Sequence, residues 1–388
     1  MITLPTPHPK ALQHSEKIAE VIRQEMMLAG GHLSFARFME LALYAPGLGY
    51  YSAGMQKFGR QGDYVTAPEI SPLFAKCIAK QCQQILTAIG SGDIIEFGAG
   101  SGLFAKDLLL ELEQRSSLPT HYFILEVSAE LRARQLHLFN TECPHLLTRI
   151  QWLDTLPTFS INGIIFANEV LDAMPIHCFQ RMDNTIKERC VSWQQDHFSW
   201  CVQPFSPETR THLETQLQEF DLPNGYQSEI NLMLSAWITS IAEILRQGTL
   251  LLIDYGYGRR EYYHPERHHG TLMCFYQHYK HANPLIFPGL QDITAHVDFT
   301  SIAESATLAG LSLAGFTTQA AFLLALGLLE LDNHAAQLSS IKKYQRNQDI
   351  KILTTPAQMG EIIKVIAFNK NLDIPLLGFS LHDRRRNL

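Results

Sequence analysis

Glu96, Gly98, Gly100 and Gly102 stand together in the stretch IIEFGAGSGLFAKDLL, from Ile94 to Leu109. An apolar run ends in an acid, glycines follow at alternate positions, and an amphipathic segment begins. Strand, glycine turn and helix together suit a nucleotide cofactor, because residues without Cβ allow a tight turn and close approach of a ligand to the backbone. A phosphate-binding loop needs G-x-x-x-x-G-K-[ST], and no Lys-Ser or Lys-Thr follows these glycines. A dinucleotide fingerprint, G-x-G-x-x-G, needs a glycine where Leu103 stands, one place after Gly102. The charge of Glu96 would repel a pyrophosphate and attract a cation. S-adenosylmethionine, with a sulfonium, an ammonium and no phosphate, answers that description. Glu126, in YFILEVSAEL, stands where a second strand would end. A carboxylate there suits the vicinal hydroxyls of a ribose, in an adenosyl or a dinucleotide ligand alike.

A second set of polar residues suggests an acceptor side. IIFANEVLDAMP empties an apolar run into Asn168, Glu169 and Asp172. Asn168 can bond the methionine end of a cofactor, and Glu169 can face an acceptor or simply cap a following helix. GDYVTAPEISP offers Asp63, Thr66 and Glu69, with Pro68 stiffening the turn. DITAHVDF offers His296 and Asp298, and LLIDYGYG offers Asp254 and Tyr255. Thr300 or Ser301 with Glu304 also reads as an ordinary helix start. His264, His268 and His269 lack the cysteine or carboxylate spacing of a zinc site, so no metal is expected. No G-x-S-x-G nucleophile elbow is present.

These residues need a scaffold that brings strand ends together. Helical spacing over Ser15 to Tyr44, broken at Gly30-Gly31, predicts two helices. A long Gly-, Tyr- and Pro-rich loop follows, then a helix from about Pro72 to Ile89. Strands are expected at Ile94 to Phe97, His121 to Val127, Ile150 to Leu153, Ile164 to Asn168 and Thr249 to Asp254, with helices at Leu103 to Gln114 and Ala129 to Phe139 between the first three. This alternation predicts a parallel, doubly wound α/β sheet with its ligand at the C-terminal strand ends. Two or three antiparallel strands, with turns at Asp183-Asn184 and Gln195-Asp196, interrupt it from His177. The later chain reads as helices at Ser228 to Leu245, Phe299 to Ala309, Ala320 to Leu331, Ala335 to Arg346 and Met359 to Phe368, and strands at Thr271 to Tyr276 and Leu311 to Thr317. The expected division is 1–90, a helical extension with an active-site loop, and 91–388, a core with an insertion at about 177–227.

Of the 388 residues, 46% are hydrophobic and 18% charged, as in a folded chain. A net charge of -7 argues against a nucleic-acid partner, and the one basic run, Arg384 to Arg386, reads as a solvated tail. Seven cysteines without a C-x-x-C pair read as reduced, mostly buried thiols. The N-terminus has no apolar signal core and is not the Arg-rich, acid-poor pattern of a transit peptide. With no run of ~18 apolar residues, a cytoplasmic protein without a membrane span is expected.

The series PGLGYY, GDYVTAPEIS, EFGAGSG, ILEVSAELRARQ, FANEVLDAMPIHCF, LLIDYG, TAHVDF and FLLALGLLE resembles, in order, the MidA-type family of S-adenosylmethionine-dependent methyltransferases. The resemblance runs from about Tyr44 to about Phe379. It implies a class I (Rossmann-like) methyltransferase fold with a helical N-terminal extension and an inserted β-rich segment. Eukaryotic relatives in that family are mitochondrial protein arginine methyltransferases that act on a respiratory complex I subunit. By matching position, Glu96, Gly98, Gly100 and Gly102 would line the methionine end of the cofactor and Glu126 its ribose. Glu69, Asn168 and Glu169 would close the site. Read from the residues themselves, Thr66, Pro68 and Asn168 are expected on the cofactor side, and Glu69, Glu169 and His296 on the catalytic side. The resemblance implies a protein substrate, and the chain's departure from those mitochondrial relatives, the lack of a convincing transit peptide, favours a bacterial cytoplasmic homologue. Two rivals remain: a non-catalytic assembly factor that binds S-adenosylmethionine, and a nicotinamide-dependent oxidoreductase.

Overall fold

The structure is a computed structural model and describes residues 4–53, 66–183, 185–331 and 339–388. The chain forms two compact units, each discontinuous in sequence. Met1–Tyr64, Asp172–Met233 and Arg259–His296 make the first; Val65–Leu171, Leu234–Gly258 and Val297–Leu388 make the second.

The second unit is built on a mixed sheet. Its main strands are β1 (Asp93–Phe97), β2 (Tyr122–Leu125), β3 (Ile150–Leu153), β4 (Ile161–Asn168), β5 (Leu245–Tyr257), β6 (Ser312–Thr318) and β7 (Ile363–Lys370), in the spatial order β3-β2-β1-β4-β5-β7-β6. Neighbours from β3 to β5 run parallel, as the alternation predicts, while β7 is antiparallel to both β5 and β6. Residues Leu250 to Ile253 of β5 are fully buried. Such continuous apolar runs are what a sheet covered on both faces demands. Helices Pro72–Ile89 and Leu103–Gln114 pack over it, and Phe104 stacks on Phe166 with ring centres 4.5 Å apart. From β1 the chain steps outward through β2 and β3, then returns to the other side of β1 as β4. The adjacent C-terminal ends of β1 and β4 are therefore the topological switch point, where open α/β sheets bind ligands.

Strand β7 corrects the helix expected at Met359 to Phe368. EIIKVIAF is a short, nearly continuous apolar run, which periodicity cannot assign, and its Ile and Val suit a buried strand. The helix expected from Ser228 begins only at Leu234, since Gln227–Ile230 is a strand, and it ends at Ile244 where β5 starts. The helix expected at Ala320 to Leu331 is the shorter Gln319–Ala325, and the one expected from Ala335 runs Ser340–Thr354, residues 335–338 lying outside the described part.

In the first unit, helices Pro9–Leu28 and Phe35–Tyr44 share one apolar core with an antiparallel sheet, through Ile18, Ile22, Phe35, Phe38, Val191 and Phe198. Strands His177–Met182, Thr185–Gln194 and His197–Pro204 are the expected antiparallel run, joined by Gln227–Ile230 and His32–Ser34. The turn Gln195-Asp196 has φ of +48° and +61°, the left-handed pair a two-residue hairpin requires.

Candidate active site

The glycine turn leaves β1 with left-handed backbone at Gly98, Gly100 and Gly102 (φ +63°, +53° and +82°). A Cβ on Gly98 would stand 3.2 Å from Val170 Cγ2, so the turn lies close against the chain that leaves β4. Gly102 begins the helix Leu103–Gln114, and a Cβ there would meet Gln135 Cγ at 3.1 Å. One place early for a dinucleotide fingerprint, this glycine allows close packing against the Ala129–Glu142 helix.

Two carboxyl groups flank the turn. Glu96 is buried in β1, and Tyr122 Oη donates to its Oε2 at 2.8 Å. Burial pushes its pKa up to about 8 against the lowering effect of the Tyr122 bond, with a further rise from Glu126. Its charge is therefore not fixed at neutral pH: a cation placed beside it favours proton loss. Glu126 follows β2 and is buried too. Its Oε1 accepts from the Ser128 N–H at 3.0 Å, and its Oε2 from Gln135 Nε2 at 3.3 Å. Gln135 Nε2 also donates to Gly100 O at 2.9 Å, while Trp152 Nε1 donates to Gln135 Oε1 at 2.8 Å.

At the end of β4, Asn168 Nδ2 donates to Glu169 Oε1 at 3.2 Å. Asn168 Oδ1 is buried with no hydrogen-bond partner among the described residues. Glu169 has a left-handed backbone (φ +52°), and its N–H donates to Ile253 O at 2.9 Å. No helix follows it for this residue to cap. Asp254, fully buried in β5, holds the next residues: its Oδ2 accepts from the N–H groups of Val170 (3.1 Å) and Leu171 (2.8 Å).

The short Ala67–Ile70 helix joins both sides. Its Ala67 N–H donates to Glu169 Oε1 at 3.4 Å, and Ser101 Oγ of the glycine turn donates to Glu69 Oε1. Thr66 precedes this helix without capping it through its side chain, and Pro68 lies in its first turn. The second unit thus brings Thr66, Pro68, Glu69, Gly98, Gly100, Gly102, Asn168 and Glu169 to one strand-end region. Glu96 and Glu126 adjoin it through β1 and β2. His296 belongs to the first unit, where its N–H donates to Thr271 Oγ1 at 3.0 Å. Asp63 lies outside the described residues. Asp298 is a helix cap, accepting from the N–H groups of Thr300 and Ser301. No group of three or more His, Cys, Asp or Glu suited to a metal occurs among the described residues. In the basic run Arg385 and Arg386 are exposed, as a solvated tail requires, while Arg384 pairs with Glu361 and its N–H donates to Phe316 O, and Arg385 pairs with Asp383.

Gln135, Ser101 and Tyr122 contact the glycine turn and the acids beside it, and the sequence alone does not single them out as candidates. Only Gln135 leaves a signal there: with Leu131 and Phe139 it sits at the i, i+4, i+8 buried positions of its helix, a polar residue on an apolar face.

The residues present fit S-adenosylmethionine. The unpartnered, buried Asn168 Oδ1 is an acceptor suited to the cofactor's ammonium, the glycine turn leaves backbone accessible, and Glu126 offers a carboxylate for ribose hydroxyls.

Residues 77–317 match a family model described as "Putative S-adenosyl-L-methionine-dependent methyltransferase". The chain is 28% identical to the protein arginine methyltransferase NDUFAF7 homolog, mitochondrial, of Drosophila melanogaster, covering 97% of this chain and 92% of that one. It is 28% identical to protein arginine methyltransferase NDUFAF7, mitochondrial, of Danio rerio, covering 86% and 83%. A crystal structure from Burkholderia thailandensis bound to S-adenosyl-homocysteine matches at 40% identity with a TM-score of 0.94, covering all of both chains. The expectation of a cytoplasmic protein is overturned by the first two relatives, both named as mitochondrial. No helix among the described residues is long and apolar enough to cross a membrane. With its glycine turn, its strand-end acids and these matches, the chain belongs to the S-adenosyl-L-methionine-dependent methyltransferase family.

Proposed function

We propose that this methyltransferase modifies an arginine side chain of a protein. The observation that carries the reading is the pair Glu69 and Glu169: Glu69 lies in the Ala67–Ile70 helix and accepts from Ser101 of the glycine turn, and Glu169 accepts from the Ala67 N–H of the same helix. Two carboxylates suit a guanidinium, whose N–H groups donate in a planar fork. Bound S-adenosylmethionine supplies an activated methyl on its sulfonium. Glu169 and Glu69 would accept from two guanidinium nitrogens and orient the third toward the methyl, so that its N–C bond forms as the sulfonium S–C bond breaks, S-adenosylhomocysteine leaves and the methylated nitrogen gives up one proton to solvent. Asn168 and the glycine turn would hold the methionine end, with Glu96 beside it, and Glu126 the ribose. Thr66 and Pro68 would shape the wall next to Glu69. The core is read as a class I methyltransferase to which the N-terminal helices and the strands from His177 are additions. Their common apolar core in the first unit supports that reading.

Both relatives above carry protein arginine methyltransferase in their names, which supports the substrate class. The test uses labelled S-adenosylmethionine with lysate from a strain lacking this protein, and with respiratory complex I subunits as first purified acceptors. Hydrolysis should release labelled methylarginine. Label confined to lysine or to small molecules would defeat the arginine reading and leave the cofactor assignment standing.

A further inference from the structure

The structure assigns Gln135 a positioning role: its side-chain amide fixes the Glu126 carboxylate relative to the glycine turn, and so sets the preference of the site for a ligand with ribose hydroxyls. This rests on the reading of Glu126 as the ribose acceptor. Gln135 is fully buried, and its amide uses each polar atom. One Nε2 contact goes to Gly100 O and the other to Glu126 Oε2, at 2.9 and 3.3 Å, and Oε1 accepts from Trp152 at 2.8 Å. Only one amide orientation satisfies this set. A flip would set the carbonyl against two acceptors and the NH2 against the Trp152 donor.

The neighbours hold the amide in that orientation. Gly102 lies against the Gln135 stem, where any larger residue would press on Cγ from 3.1 Å. Glu126 is steadied on its other oxygen by the Ser128 N–H. One side chain on the Ala129–Glu142 helix therefore ties together the turn after β1, the acid after β2 and Trp152 of β3. A carboxylate that must receive two hydroxyl donors loses least freedom on binding when it is already held.

The test compares calorimetric affinities for S-adenosylhomocysteine and its 2′,3′-dideoxy analogue. The wild-type protein should prefer the natural ligand. Gln135→Met keeps the side-chain length and removes both donors, and should weaken S-adenosylhomocysteine by about 10-fold or more while hardly changing the analogue, the worth of a hydrogen bond to a charged group. A general structural defect would weaken both ligands alike. That result, or an unchanged preference, overturns the inference. If the wild-type protein shows no preference at all, the ribose reading of Glu126 fails and the inference falls with it. Trp152→Phe removes the donor that anchors Gln135 and decides the matter where Gln135→Met does not fold. A reduced preference supports the positioning role, and an intact one overturns it.

Discussion

Burial against a tyrosine makes Glu96 an acid whose protonation the fold controls. Its folded pKa, about 8, lies above the ordinary value of 4.5, so the folded protein keeps a proton that the unfolded chain gives up between those values. Its contribution to stability is therefore full below about pH 4.5 and is lost as pH rises through about 8. Glu96→Gln, which can still accept from Tyr122, should gain in urea midpoint over the wild-type protein as pH goes from 5 to 8. A difference independent of pH would mean that Glu96 is ionised throughout. At this scale the sequence shows the glycine turn, Glu126, Asn168 and Glu169, because their chemistry is exposed by the strand ends they follow. It does not show that Glu96 meets Tyr122, or that Gln135 meets Gly100 and Glu126, since those partners lie on other elements.

Between elements, Asp254 is what fixes the chain after β4. Its carboxylate on β5 receives the Val170 and Leu171 N–H groups, and its other oxygen that of Tyr255. Asn at this position puts an NH2 where an acceptor is needed, whichever way the amide turns. Asp254→Asn should therefore destabilise by about 1–3 kcal/mol in chemical denaturation, the cost of a buried donor left without a partner. It should also weaken S-adenosylhomocysteine binding, because Val170 packs beside Gly98. Unchanged stability would show that the turn is held by other contacts. The first five strands are legible because β-α alternation repeats a strong pattern. Strand β7 is not, because eight apolar-rich residues satisfy a helix and a buried strand equally until their sheet neighbours are known.

Taken as a whole molecule, the chain carries a net charge of -7. An acidic enzyme attracts an arginine-bearing, basic acceptor over a distance that salt shortens. The KM for such a protein acceptor should rise several-fold between about 50 and 500 mM salt, with little change in cofactor affinity. A KM insensitive to salt would argue for an uncharged recognition surface. The division into two discontinuous units is not legible from the chain, since His177–Met182 and Pro9–Leu28 meet in one core only through tertiary packing. Glu169, just after β4, and Glu69, in the Ala67–Ile70 helix, are proposed to serve transfer to a guanidinium rather than cofactor binding. The decisive experiment counts methylarginine and S-adenosylhomocysteine formed on a confirmed acceptor by the wild-type protein and by Glu169→Gln, alongside calorimetric S-adenosylhomocysteine affinity for each. The wild-type protein should form one S-adenosylhomocysteine per methyl, and the variant should bind it equally well but turn over ~100-fold more slowly, the effect of losing a charged orienting contact in catalysis. Full turnover by Glu169→Gln would contradict it.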